Sequence, residues 1–128
     1  MKLGYTILYV PNVQESIEFY EKAFGFKRKF IHESGQYGEL DTGATTLSFA
    51  AYDLVKMNEV DFTKLSKSDA PPAVEIAFVS ENVDQDFAKA VSAGATFLKK
   101  PTQKPWGQVV GYVRDNNGFL IEICSPVG

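Results

Sequence analysis

The apolar residues at the start of the chain switch from strand-like to helix-like spacing. Residues 3–10 are rich in β-branched and aromatic side chains, which is typical of a mostly buried strand. Asn12 then stands in an N-cap position, with Glu15 three residues later as in a capping box. Apolar side chains follow at helical spacing, so we predict an amphipathic helix over residues 13–24 that Gly25 ends.

The pattern after this helix predicts three strands, and then the whole order begins again. Short runs that mix apolar and polar residues are separated by Ser-Gly and Thr-Gly turns, which predicts strands at 26–33, 37–41 and 44–52. A second strand–helix–three-strand series follows, with strands at 73–79, 95–99, 108–114 and 119–125 and a capped helix between Asn82 and Gly94. The chain is therefore predicted to be an α+β protein.

The two halves carry the same turns and caps in the same order. Asn12 and Asn82, which both open a helix, stand 82 − 12 = 70 positions apart. This agreement indicates an internal duplication of one βαβββ module. We expect a single domain with module 1 at 1–52, a connection at 53–72 and module 2 at 73–128.

The connection is polar, ends in two prolines and is long for a loop in a compact domain. A short helical turn is predicted in it over residues 61–65. The sequence leaves open whether the connection only links the modules or also acts as a flap over a site, and we favour the link.

Composition narrows the classes of partner. The chain has 128 residues, 45% of them apolar, and its 10 Phe, 6 Tyr and 1 Trp can supply both a core and a ligand cavity. A net charge of −3 without a basic stripe argues against nucleic acid. No segment reaches the roughly 20 apolar residues that span a bilayer. The single cysteine, Cys124, is expected to be a small core residue in a cytoplasmic protein.

Several motifs together resemble one known superfamily. They are the opening run GYTILYV at 4–10, the helix SIEFY at 16–20 with its FGF ending at 24–26, the AGA run at 93–95, the PWG run at 105–107 and DNNGFLIE at 115–122. This set is similar to the glyoxalase/bleomycin-resistance/extradiol-dioxygenase superfamily, also called the vicinal oxygen chelate superfamily. The resemblance implies two βαβββ modules that curl into half-barrels around a central cavity.

The resemblance also implies four positions that hold a divalent metal in metal-dependent members. In this chain they fall on Tyr5, Glu75, Glu122 and a position near Leu47 or Phe49. Two carboxylates, one phenol and one hydrocarbon form a poor site for a transition metal. We therefore expect no metal and no other cofactor, with a divalent metal kept as the weaker alternative.

The only histidine does not change this expectation. His32 lies on the second predicted strand, which supplies no ligand in the family pattern.

Six residues are the candidate ligand-binding set. Glu75 and Glu122 lie in apolar runs, where an inward carboxylate is costly unless it is paired, hydrated or used. Crowding two of them should raise a pKa, whereas the alternative is that each faces solvent or pairs with Lys99, Lys100 or Lys104. Trp106 is either the cap of a core edge or an aromatic wall. The complete set is Tyr5, Phe49, Glu75, Trp106, Tyr112 and Glu122.

Three functions follow from this set and the resemblance. The favoured one is a metal-free protein that binds an aromatic or cationic small molecule, as bleomycin-resistance proteins do. The alternative is a metal-dependent lyase or isomerase of the glyoxalase I type, or a glutathione or other thiol transferase, with Glu75 and Glu122 as candidate catalytic residues. The third is a binding protein with a vestigial cavity. By analogy with relatives, a homodimer is expected.

Overall fold

The computed structural model describes residues 1–127, which form two mixed four-stranded sheets with helices. The elements are β1 (Tyr5–Val10), α1 (Val13–Phe24), β2 (Lys27–Ile31), β3 (Tyr37–Asp41), β4 (Thr46–Ala51), α2 (Tyr52–Met57), β5 (Glu75–Val79), α3 (Val83–Ser92), β6 (Thr96–Gln103), β7 (Val109–Arg114) and β8 (Leu120–Cys124). None of the described helices is long and apolar enough to cross a membrane.

The two sheets have the same topology. Their strand orders are β1-β4-β3-β2 and β5-β8-β7-β6, and in each sheet the first pair is parallel and the others are antiparallel. The predicted α+β class with two βαβββ modules is confirmed. The chain divides into two compact units between Lys64 and Leu65, and each unit holds one sheet.

The two long helices begin where their capping residues predict. Asn12 accepts a hydrogen bond from the main-chain N–H of Glu15 at 2.9 Å, and α1 ends at Gly25 in the left-handed conformation. Asn82 accepts in the same way from the N–H of Gln85 at 3.2 Å. The helix bounds were predictable because each depends on a local side-chain to main-chain contact.

A glycine in the central strand of each sheet lets the helix approach closely. A Cβ atom on Gly38 of β3 would lie 2.5 Å from the Ile17 side chain of α1, and one on Gly111 of β7 would lie 2.9 Å from Phe87 of α3. Because neighbouring strand residues point to opposite faces, these glycines define which residues face the helix. Residues of the other parity point away from it and are the ones available for a site.

The predicted helical turn at 61–65 is wrong. The helix of the connection is α2, which starts directly after β4, and residues 61–65 contain no helix. Phe62 lies instead against two aromatic rings, with its centroid 5.2 Å from Tyr9 and 5.0 Å from Tyr52. Packing of one large ring outweighs the weak helix preference of such a short segment.

Strand β6 is longer than the predicted 95–99 and continues to Gln103. It passes through Pro101 with two register shifts against β7. A proline is tolerated there because β6 is an edge strand, whose outer N–H groups need no ladder partner.

Candidate functional site

One face of the second unit brings the predicted carboxylates together. Tyr112 of β7 pairs with Glu122 of β8, which pairs with Ala77 of β5. Glu75 lies two residues before Ala77 on the same face. All of these have the opposite parity to Gly111, so their side chains point away from α3.

The acidic side chains are linked by hydrogen bonds. The Tyr112 hydroxyl donates to Oε1 of Glu122 at 3.1 Å. Glu75 is exposed, but partial desolvation, a hydrogen bond to Glu122 and the negative charge of Glu122 raise its pKa above the ordinary 4.5. The carboxyl group of Glu75 is therefore harder to deprotonate than an isolated one, as expected beside a second carboxyl group.

Tyr112 and Cys124 remain protonated beside this pair. Burial and the hydrogen bond to Glu122 raise the pKa of Tyr112 to about 12, so its hydroxyl acts as a donor. Burial and Glu122 raise the pKa of Cys124 to about 11. The Cys124 thiol is buried and lies 3.7 Å from the carbonyl of Phe78. This confirms Cys124 as a core residue, since thiolate chemistry requires a lowered pKa.

In the described part of the chain, neither carboxylate of this face forms an ion pair. Among residues 1–127, the ion pairs within 4.0 Å join Arg28 to Glu21 and Lys29 to Glu39, so neither involves Glu75 or Glu122. The alternative that a lysine of the Lys99–Lys104 stretch pairs with them is not realised.

Trp106 is an exposed ring that is held in one orientation. Its indole is 63% exposed, which rules out a cap on a core edge. The indole N–H donates to Oε1 of Gln108 at 2.8 Å, and Nε2 of Gln108 donates to the carbonyl of Ser125 at 2.8 Å. The tether thus fixes the ring relative to the end of β8.

An open depression lies next to Glu75. Its volume is about 330 Å³, and it is lined by Pro72, Ala73, Val74, Glu75 and Leu120. A carboxyl group at the edge of an apolar depression can bind the charged end of a molecule whose apolar part fills the depression.

In the first unit, one predicted site position differs from the one that the structure shows. Tyr5 is 58% exposed on β1, but Phe49 is fully buried against Tyr20 of α1, with ring centroids 5.0 Å apart. In the ladder, Ser48 lies in the place that Glu122 has in the second unit. The expectation of Leu47 or Phe49 was wrong by one residue, which moves a side chain to the other face of a sheet.

A second polar cluster, which was not predicted from the sequence, lies on the same face as Ser48. The hydroxyl of Tyr37 donates to Oε2 of Glu39 at 2.8 Å, and Nζ of Lys29 lies 3.6 Å from Oε1. Burial raises the pKa of Tyr37, an effect that the hydrogen bond to Ser48 opposes. The alternation of residues 37–41 around Gly38 was a signal that could have located Glu39.

The residues at the four family positions do not fit a transition metal. They are Tyr5, Ser48, Glu75 and Glu122. Within residues 1–127, no group of three or more His, Cys, Asp or Glu side chains could hold a metal ion. His32 lies in an exposed turn, where its Nδ1 is 2.8 Å from the Ser34 hydroxyl. Two carboxylates are fewer than the three protein ligands that catalytic sites use.

The coupling of the carboxylates gives a testable pH dependence. Replacing Glu122 with Gln removes the nearby charge, so the pKa of Glu75 should fall toward 4.5 in a carboxyl-carbon NMR titration. Because the native pKa is the raised one, wild-type stability should decrease as pH rises above 4.5, and Glu122→Gln should reduce this decrease.

The matched control is Glu81→Gln, which changes an exposed carboxylate of the same unit. It should leave the titration of Glu75 unaltered. An identical Glu75 pKa in wild type and Glu122→Gln would show that the two groups do not interact.

Comparison with known proteins agrees with this fold. The family model of the Glyoxalase/Bleomycin resistance protein/Dioxygenase superfamily matches residues 2–123. The chain is 22% identical over 131 residues to Virulence protein STM3117 of Salmonella typhimurium, covering 98% of this chain and 85% of that protein.

Two solved structures show the same fold. A glyoxalase-related enzyme from Fulvimarina pelagi has a TM-score of 0.83 at 20% identity, covering 98% of this chain and 88% of that one. TioX from Micromonospora sp. ML1 has a TM-score of 0.74 at 20% identity, covering 98% of both chains. The chain belongs to the glyoxalase/bleomycin resistance protein/dioxygenase superfamily.

Proposed function

We propose that this protein binds a small molecule that carries both a cationic group and an aromatic ring. The observation that carries the proposal is the Glu75–Glu122 pair, which has no cationic partner among residues 1–127 and lies on a face with an apolar depression. An ammonium group would form charge-assisted hydrogen bonds with the pair. Tyr112 keeps Glu122 in place by donating to it.

Aromatic contacts supply the second part of the proposal. Trp106 presents an exposed and tethered indole, and an indole face attracts both aromatic rings and cations. Tyr5, exposed on β1, is proposed as a further aromatic contact on its own sheet. Phe49 is omitted because it is fully buried.

Three ligands with one ring system and different charges test this proposal. We expect 1-naphthylmethylammonium to bind about tenfold tighter than 1-naphthylmethanol, a difference of about 1.4 kcal/mol that one charge-assisted contact can supply. The anion 1-naphthoate should bind more weakly than both. Isothermal titration calorimetry measures all three affinities.

Glu122→Gln should remove the preference for the ammonium compound, and the control Glu81→Gln should retain it. Equal binding of the naphthoate and the ammonium compound, or no binding of any of the three at millimolar concentration, would refute the proposed function.

A glyoxalase-like lyase or isomerase, or a thiol transferase, is the second candidate. Its support is the raised pKa of Glu75, since a carboxyl group with a raised pKa beside a phenol suits general acid–base catalysis. The metal that such family reactions use is not matched by the side chains present, so we give this function second place.

We also propose that two copies associate. Strands β1 and β5 are open edges of their sheets, and they expose the apolar side chains of Ile7 and Val79 at 44% and 67%. Unpaired edges with apolar side chains are surfaces that a second copy can cover.

Analytical ultracentrifugation tests the dimer. The wild type should sediment as a dimer at micromolar concentration, and Val79→Lys should shift it to monomer because it places a charge at the edge. Val60→Lys, at an exposed residue outside the sheets, should remain dimeric. A monomeric wild type would contradict this part of the proposal.

The location is inferred as cytoplasmic. Cys124 is a free, buried thiol, and free thiols persist in reducing compartments.

A further inference from the structure

The last residue of β7 is a buried arginine that holds a distant segment of its own unit. Arg114 is 6% exposed. Its Nε donates to the carbonyl of Gly118 at 2.8 Å, and its Nη1 donates to the carbonyls of Lys67 and Asp69 at 2.9 and 2.7 Å. A weaker contact of 3.4 Å joins Nη2 to the carbonyl of Ser66. The rigid fork of donors in arginine suits this task, and lysine lacks it.

The turn that follows β7 fixes one of the carbonyl groups that accept from the guanidinium of Arg114. Asp115 is fully buried, and its Oδ1 accepts from the N–H groups of Asn117, Gly118 and Phe119 at 2.9, 2.8 and 2.9 Å. These bonds fix the carbonyl of Gly118 that faces Arg114.

Only glycine fits at position 118. Its φ is +103°, and an added Cβ would lie 2.8 Å from Nη2 of Arg114 and 2.9 Å from the carbonyl oxygen of Ser66. The turn, the arginine and the segment at Ser66 are therefore in mutual contact, with no room for a side chain between them.

The held segment leads directly to the depression beside Glu75. Within it, the N–H of Ser66 donates to Oδ2 of Asp69 at 3.1 Å, and the N–H of Asp69 donates to the carbonyl of Ser66 at 3.1 Å. Two prolines, Pro71 and Pro72, follow after one residue and restrict the chain. Pro72, Ala73 and Val74 then line the depression.

We propose that Arg114 is a positioning residue that fixes residues 66–69 and, through the two prolines, the apolar wall formed by Pro72, Ala73 and Val74 beside Glu75. The use of this wall for ligand binding rests on the proposed function. The end of the connection is then a built part of the site and not a mobile flap.

Two variants weaken the clamp in different ways. Arg114→Lys keeps the charge but loses the fork, and Gly118→Ala keeps Arg114 but inserts a methyl group between it and Ser66. Both should speed trypsin cleavage of the native chain after Lys67 by about tenfold, because local opening governs cleavage, whereas cleavage after Lys89 in α3 should change little.

A second readout reports on the wall without any ligand. Glu122, Tyr112 and Cys124 are the titratable groups around Glu75, and neither variant alters them. Glu75 is exposed, and the atoms around it only partly desolvate its carboxyl group. Withdrawal of the wall should reduce this desolvation, so the pKa of Glu75 should fall toward 4.5 in both variants. A Pro71→Gly, Pro72→Gly double variant should lower the pKa in the same way while Lys67 stays protected.

The matched control is Gly43→Ala. It introduces the same kind of backbone strain at a φ of +100°, but an added Cβ there meets nothing within 4 Å. Cleavage after Lys67 and the titration of Glu75 should both match the wild type.

Three results would overturn the inference: unchanged cleavage after Lys67, equal acceleration after Lys67 and Lys89, or faster cleavage after Lys67 with an unaltered Glu75 pKa. The second would mean that Arg114 stabilises the whole unit without a specific role at the wall. Failure of 1-naphthylmethylammonium to bind the wild type would remove the proposed function alone, because both readouts here need no ligand.

Discussion

The close approach of a helix to the glycine of a central strand decides which face of each sheet can carry chemistry. At Gly38 and Gly111 the helix side chains occupy the space that a Cβ would take. Strand residues of the same parity face the helix, as the fully buried Phe49 does. The residues of the other parity, including Tyr112 and Glu122, are left to form a site.

The two units use this free face in different ways. In the first, Glu39 is compensated by Lys29 and by the hydroxyl of Tyr37. In the second, Glu122 has a phenol donor but shares its surroundings with another carboxyl group, that of Glu75. The two units are thus scaffolds of the same topology, and the uncompensated charge of the second one makes it the better candidate to bind a cation.

The helices could be predicted from the sequence because their ends depend on local signals. The placement of site residues was harder to predict because it depends on contacts between strands. The bounds of α1 agree with the prediction because Asn12 and Gly25 act within one turn. The placement of Glu75 and Glu122 on one face came from the family resemblance, and the register agrees with it. Ser48 was missed because a one-residue error in register exchanges the two faces of a strand.

The contacts of Arg114 show a second limit of prediction from the sequence. Its partners at 66–69 are main-chain carbonyls more than 40 positions away, and carbonyls carry no side-chain signature in the sequence. The same reason explains why the predicted helical turn at 61–65 failed, since the ring contacts of Phe62 are set by the folded unit.

The central claim is that the Glu75–Glu122 face binds an organic cation without a resident metal. Metal content by mass spectrometry, after incubation with Mn²⁺, Ni²⁺ and Zn²⁺ and then dialysis, tests it most directly. The account predicts far less than one ion per chain, with no difference between the wild type and Glu122→Ala. One tightly held ion per wild-type chain that is lost in Glu122→Ala would contradict it.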